Sequence, residues 1–560
     1  MNASSCHDWS DFLQLVHAGV WPEALELAQN RTAACGEREH VQWSCAMACC
    51  LMNLGCHEEA IQACNSASDK ALADSSLTCW LAYARVLHVQ ILLALDQCEQ
   101  ALVLAKRVAE VFPGHAPNLA LLGQALVRSE GDWLSASEVW SPLRDDPSYR
   151  DFVAWQDIQR HLYQGPLQPQ KLTFLLKKFA ETHLSVSPQI HAGATHAQPV
   201  VRQRLRLGLI SPLLCASPVY FLCIGALREL AGTFDLIFFS RKIHADWANA
   251  EFKTIAAQWH EVGHLSYDVL EKLLASSSLH AVVDLAGWMD LPVLRALARR
   301  PIPRQYKWVG GQSATTGLVA FDGFISDPLQ TPVALSALYT EPLVLLSGGY
   351  VTYSAPSYMP ALRTRSMDQN LHIVGIVSHP MKLSGAFLAY LATHIRRLVT
   401  DSSHNFSPVE LRFVGWRYAQ PRVQQRLLSA LGLLSADGPG VQVRFIATHD
   451  HRHHLEAVAD LDWIVDTFPY TCGVTALEAL ALGVPLRTYA GSHFAQRHGY
   501  SHARYAGLSE DEIDLERLGP FSPGTLCNTG RSLLIDSSPR LDHCRLAQDL
   551  ERIFITNIGV

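Results

Sequence analysis

Charge is scarce in this chain. Asp, Glu, Lys and Arg make up 17% of 560 residues, against 49% apolar. A disordered chain needs the reverse balance, so global disorder is excluded and large buried cores are expected. A basic surplus is also missing. Lysines and arginines number 45 against 52 acidic residues, a net charge of −7, which speaks against a nucleic-acid partner. No uninterrupted apolar run reaches the roughly 18 residues of a membrane-crossing helix. The start, MNASSCHDWSDF, lacks the basic and apolar regions of a secretory signal. A cytoplasmic protein with no membrane partner is expected, with roughly three or four domains of about 150 residues. CxxC pairs are absent among the 14 cysteines. Cys45, Cys49 and Cys50 are spaced for one helix face, where a thiol acts as a small apolar group. Without an export signal, a disulfide framework is not expected. The histidine-rich run HDHRHH, His449 to His454, reads as a solvated loop at a strand end ahead of a metal site.

What is present begins with a repeat. The segments AGVWPEALELAQ, LGCHEEAIQACN, LDQCEQALVLAK and EGDWLSASEVWS share a turn followed by a helix. Their alanines fall at Ala24, Ala60, Ala101 and Ala136, intervals of 36, 41 and 35. These lie near the period of about 34 of tetratricopeptide repeats, in which small residues let paired helices approach. An all-α, tetratricopeptide-like domain is expected over residues 1–185, its last helices (FVAWQDIQRHLY and LTFLLKKFAETHL) capping the stack. Such arrays bind peptides or proteins, or serve as rigid supports. Residues 186–203, rich in Pro, Gly and polar side chains, read as a linker.

From Arg204 the period changes. Apolar runs suited to buried parallel strands (LRLGLIS, FDLIFFS, HAVVDLAG, RQYKWVG, PLVLLS) alternate with helical patterns. After an interruption at 356–370 comes a second series, from LHIVGIVS to PLRTYA, and a final helix closes the chain. Two doubly wound, Rossmann-like α/β domains are expected, at 204–355 and 371–560, with a ligand cleft at the C-terminal strand ends. In the second, DTFPYTCGVTALEALALGVPLRTYAG (466–491) reads as strand, loop, helix, strand. A loop of small residues feeding a helix start suits an anion, because free amides and the helix dipole both favour negative charge.

Several blocks, in order, resemble one family. The stretch DLAGWMDLPVLRALARRPIPRQYKWVGGQSATTG is similar to the part of O-GlcNAc-transferase-like enzymes that leads through RPAPIQ to WLGYPxTxG. FDGFISDPLQTP resembles their DYIITD segment and YTEPLVLLSGGY their YSEKLVYLP segment. Residues 466–497 resemble DTxPxNGxTTxxDALWxGxPVVTxxGxxxASR. The matched region runs from about Arg204 to Arg497 and comes after the repeats, as it does in that family. The resemblance implies a GT-B fold and an inverting protein O-glycosyltransferase. Its donor would be UDP-GlcNAc or a related nucleotide sugar, and its acceptor a Ser or Thr of a protein, with flagellin a candidate. It implies no cofactor beyond the donor and no required metal; homo-oligomers are compatible with it.

It also implies roles for particular residues. Lys382, in VSHPMK, falls where the family has a lysine on the pyrophosphate; a fixed ammonium there stabilises the departing diphosphate. His280 matches a histidine of the N-terminal half of the cleft and is the second catalytic candidate. His454 falls where a histidine packs on the nucleotide base, and Glu478 where an aspartate bonds the ribose. Thr475 matches a phosphate-binding threonine, assisted by the amides of Gly473 and Val474. His379, Gly310 and Ser217 complete the expected donor-binding set. Departures fall at Ser217, where O-GlcNAc transferases have a histidine, at Gly473, where the animal enzymes have one, and at Val474, where the family has a threonine. Trp288 and Met289 fill a turn that is usually polar. The diphosphate features are therefore better kept than the sugar-binding ones. The pair Asp460 and Asp462 precedes a strand, the wrong sheet edge for a metal in the cleft. An adhesin-type Asn-glucosyltransferase, a non-catalytic scaffold or partner subunit, and a nucleotide-sugar epimerase are the competing readings.

Overall fold

The computed structural model describes residues 3–165, 168–184, 204–362, 371–400, 408–433, 437–438, 441–521, 531–534 and 538–558. The expected linker 186–203 and the larger part of 356–370 lie outside the described residues. The chain divides into two compact units, Met1–Asp157 with His264–Ser266, and Ile158–Gly263 with Tyr267–Val560.

The first unit is built from paired helices: α1 (Ala3–Ala18), α2 (Trp21–Ala34), α3 (Glu37–Asn53), α4 (His57–Ala73), α5 (Thr78–Ala94), α6 (Cys98–Val111), α7 (Ala116–Glu130) and α8 (Trp133–Trp140). The repeat alanines each occupy the fourth position of α2, α4, α6 and α8, and all are 0% exposed. Two residues before each of those helices the backbone turns left-handed, at Gly19, Gly55, Asp96 and Gly131. Glycine adopts that conformation without steric cost, and three of the four repeats use it. Cys45, Cys50, Cys64 and Cys98 are buried among these helices, as small apolar residues should be; the twelve cysteines whose side chains are described are all free. Ser75–Ala94 is long and apolar enough, by length and composition, to cross a membrane. It comprises a 3-10 turn, Ser75–Leu77, and α5, which packs between α4 and α6.

The next helices, α9 (Arg150–Gln164) and α10 (Pro169–Phe179), correct the expected boundary, because from Ile158 onward the chain counts with the second unit. The apolar stripe of α10 explains this. Leu172, Leu176 and Phe179 are buried, Thr173 donates to the Leu338 carbonyl at 3.2 Å, and the Phe179 ring meets Trp288 edge-on at 6.2 Å. Trp288, out of pattern in the sequence, thus seats α10 and donates from Nε1 to the Thr315 carbonyl at 2.9 Å.

The second unit holds two sheets. The first comprises β1 (Leu205–Ser211), β2 (Phe234–Ser240), β3 (Gln258–Glu261), β4 (Ala281–Asp284), β5 (Gln305–Lys307), β6 (Gly323–Ser326) and β7 (Leu343–Leu345). They are ordered β3-β2-β1-β4-β5-β6-β7 and pair in parallel throughout. The second comprises β8 (His372–Ile376), β9 (Val409–Val414), β10 (Asp437–Gly438), β11 (Val441–Ile446), β12 (Trp463–Val465) and β13 (Leu486–Arg487). Its order is β10-β11-β9-β8-β12-β13, parallel except for β10. The interior strands β4 and β6 are buried at every residue, as strands inside a parallel sheet are.

The closing helix, His543–Ile558, falls within the stretch read from the sequence as the second α/β domain. Its buried stripe of Leu546, Leu550 and Phe554 instead completes the first sheet. It packs on the helix Pro218–Leu230, and the Phe554 ring lies 6.1 Å from Phe234 and 5.2 Å from Tyr306.

Candidate functional site

β12 ends at Val465, and Asp466 shapes the loop beyond it. Its carboxylate accepts from the Cys472 amide and from the Thr488 hydroxyl, both at 2.8 Å. The loop 466–472 is therefore folded around a buried acid. It delivers Gly473 to the start of the helix Val474–Ala481, where no side chain caps the helix. A Cβ at Gly473 would meet nothing within 4 Å. Packing does not demand this glycine, so its effect is to leave the space before the helix open. The first amides of a helix have no intrahelical partner, which makes this an anion seat with room in front of it.

Burial pushes the Asp466 carboxyl up to about 6, against the lowering by Thr488, Cys472 and Lys382. Its folded value lies above the unfolded one of about 3.9, so the folded state holds its proton more tightly. The resulting stability is full below about pH 4 and is lost as the pH rises through about 6. Asp466→Asn has no such dependence. Its stability relative to the native chain should rise between about pH 4 and 7 in urea unfolding; a constant difference would contradict the burial argument.

Facing the seat, His379 opens a short turn, Pro380–Lys382, its Nδ1 accepting from the Met381 amide at 3.1 Å. The Lys382 ammonium lies 3.4 Å from the Thr471 carbonyl oxygen and 4.5 Å from the centre of the Tyr470 ring. Among the described carboxylates it has no ion-pair partner within 4.0 Å. A half-buried cation is thus held beside the uncapped helix with no described carboxylate at ion-pair distance.

Both halves border a cavity of ≈ 430 Å³. The first sheet's half contributes Ala216, Ser217, Pro218 and Phe221; the second contributes Val377–Pro380, Val414–Tyr418, Thr448–His451, His454, Val474, Thr475 and Glu478. All but Phe221, His454 and Glu478, which lie one turn into their helices, sit at or just beyond the C-terminal ends of parallel strands or at helix starts, the edge where such sheets bind ligands. Ser217 precedes the helix Pro218–Leu230 and donates to the Leu213 carbonyl at 2.9 Å. His454 lies on the helix His451–Ala459 with its imidazole pushed down by burial.

Of the expected site residues, Ser217, His379, His454, Val474, Thr475 and Glu478 line this cavity, with Lys382 and Gly473 beside it. His280 does not join them. It opens β4, the opposite edge of the sheet, and its Nδ1 accepts from the Arg206 amide at 3.0 Å. Gly310 is also elsewhere. A Cβ there would stand 2.1 Å from the Leu285 carbonyl oxygen, and its own carbonyl accepts from buried Lys307 at 2.6 Å, so it lets a loop lie on the exit of β4. Asp462 sits at the entry of β12, accepting from the Ile373 amide at 2.7 Å, away from the cavity edge as expected.

The histidine run is not a loop: Asp450 caps the helix that starts at His451, accepting from the His453 amide at 2.9 Å. No group of three or more His, Cys, Asp or Glu among the described residues is arranged to hold a metal ion. His451, not singled out by itself from the sequence, links the cavity wall to three other residues. Its Nε2 is 2.7 Å from Glu478 Oε1, its Nδ1 is 2.9 Å from the Tyr358 hydroxyl, and its ring lies 5.1 Å from Phe221. A neutral ring protonated at Nε2 satisfies both bonds, donating to Glu478 and accepting from Tyr358. Glu478 is only 2% exposed, so one carboxylate oxygen is fixed by His451. The spacing of His451 and His454 on one helix face is the signal the sequence holds; the partners, 27 and 93 residues away, leave none. Removing a partner from a buried acceptor costs about 1–3 kcal/mol. His451→Ala should therefore weaken binding of a ligand in this cavity about tenfold, read by calorimetry.

No family model matches the chain. In sequence it is similar to plant proteins named "Probable UDP-N-acetylglucosamine--peptide N-acetylglucosaminyltransferase SPINDLY". The one from Solanum lycopersicum is 25% identical over 370 residues, covering 63% of this chain and 39% of that protein. The one from Arabidopsis thaliana is 26% identical over 310 residues, 54% and 33% respectively. The chain thus spans about two fifths or less of these relatives' length. In structure it resembles a mutant of the Thermobaculum terrenum O-GlcNAc transferase, with a TM-score of 0.72 at 23% identity, over 94% of this chain and 95% of that one. Helical repeats followed by two Rossmann-like halves are therefore a shared fold, and the resemblance to O-GlcNAc-transferase-like proteins read from the motifs is borne out.

Proposed function

We propose that this chain is an inverting glycosyltransferase that moves a sugar from a nucleoside-diphosphate donor, UDP-N-acetylglucosamine or a related UDP-sugar, to a Ser or Thr of a protein. The observation that carries this reading is the Lys382 ammonium, with no described carboxylate at ion-pair distance, beside the uncapped start of the helix Val474–Ala481. Negative charge builds on the diphosphate as the sugar leaves. The ammonium and the amides at Val474 and Thr475 are fixed where that charge develops and need not reorganise to meet it. His454 supplies a flat, largely neutral face for the base, and Glu478, oriented by His451, an acceptor for ribose hydroxyls. With His280 outside the cavity, the acceptor hydroxyl's proton passes to water or to the donor phosphate.

The helical repeats suit an extended acceptor segment, with flagellin the first candidate and the cytoplasm the expected compartment. The test is to incubate the purified chain with a panel of labelled nucleotide sugars, a cell lysate and purified flagellin. Label entering protein and released by mild alkali supports transfer to Ser or Thr; alkali-stable label means Asn. A donor that binds without transfer would make the chain a scaffold, and isomerised free donor would make it an epimerase.

A further inference from the structure

We infer that Tyr470 and Tyr163 form a seat that positions the Lys382 ammonium for the donor diphosphate; this rests on the reading of the site given above. Lysine is a compact charge on a flexible stem and loses about 2 kcal/mol of rotamer freedom when fixed. Something must hold it, and a carboxylate would cancel the charge that an anion is to find. An aromatic face attracts a cation without neutralising it, and the Tyr470 ring occupies that place, 4.5 Å from the ammonium.

Tyr470 is itself fixed. The Tyr163 ring stacks on it at 4.6 Å with 7° between planes, and the Tyr470 hydroxyl lies 3.3 Å from the Ser313 hydroxyl. Tyr163 stands in the last turn of α9. Its neighbour Gln164 donates from Nε2 to the Met381 carbonyl at 2.9 Å, and Met381 immediately precedes Lys382. One helix end therefore grips both the ring under the ammonium and the backbone turn that carries it. The Gln164 bond spans 217 residues of chain, so the two grips converge on the lysine only in the folded molecule.

The alternative is that the stacked pair only packs the loop. Calorimetry with UDP and with uridine separates the two, because uridine lacks the diphosphate. Tyr470→Leu should weaken UDP binding about 3- to 30-fold, the range a cation–aromatic contact sustains, and leave uridine unchanged. Tyr470→Phe, which keeps the ring, should restore UDP affinity. In a Lys382→Ala background Tyr470→Leu should cost nothing further. Tyr163→Leu, which leaves Tyr470 in place, should show the same selective loss in smaller degree and serves if Tyr470→Leu does not fold. Equal losses for UDP and uridine, or a UDP loss that persists without Lys382, would overturn the seat. A native chain that binds UDP no better than uridine would overturn the diphosphate site itself, and the seat with it.

Discussion

Replacing Lys382 by alanine should lower kcat for sugar transfer by about two to three orders of magnitude, the effect of deleting one preorganised charge-stabilising donor. The fold should survive. Lys382 is half-buried, makes one long bond to a carbonyl, and has no ion-pair partner among the described carboxylates. Thermal unfolding should therefore match that of the native chain, while label incorporation falls to near background. Donor KM should change less than kcat, because the ammonium's work is greatest when charge has moved onto the leaving group. A variant with native kcat would end the assignment of this lysine to the diphosphate.

The largest stability loss is expected from Arg540→Met. Arg540 is 0% exposed. It donates to the Val351 carbonyl at 3.0 Å and the Ser501 hydroxyl at 2.9 Å, and lies 3.4 Å from Asp327 Oδ2. Asp327 is equally buried and also accepts from the amides of Leu329, Gln330 and Tyr350. The guanidinium thus ties a first-half loop to the helix His498–Tyr505. Deleting one partner of a buried pair leaves the other charge uncompensated, at about 3–5 kcal/mol. The urea midpoint should fall accordingly, and Asp327→Asn in the same chain should recover part of the loss. A shift under about 1 kcal/mol would mean the pair behaves as a surface one.

Much of the architecture is readable in the sequence because it is local. An alanine four residues into every second helix, preceded by a left-handed turn residue, is a pattern within a dozen residues, and it marks the repeats. Buried parallel strands declare themselves as apolar runs. The anion seat is readable for the same reason, as strand, loop and helix are contiguous there. The features that mislead depend on direction or distance. His280 opens its strand, and in a parallel sheet that places it at the edge away from ligands, although its motif match points toward the cleft. Gly310 is demanded by the Leu285 carbonyl, which no local pattern reveals. His451 gains its meaning from Tyr358 and Glu478, and Tyr470 from Tyr163, pairings made only by the tertiary fold. The closing helix shows an apolar stripe in sequence, yet a stripe does not say which sheet it will cover.

That helix has a consequence for how the protein is made. The first sheet's last strand, β7, ends at Leu345, but its core is completed by Phe554. At about 5–20 residues per second, the ribosome needs roughly 10 to 40 s to bridge that interval. For that time the nascent half-sheet has every strand and lacks its lid, with Phe234 and Tyr306 short of a neighbour. Chaperone demand should therefore be greatest during the last two fifths of translation, and a ribosome stalled in that interval before the closing helix should hold a first half that is still open to protease.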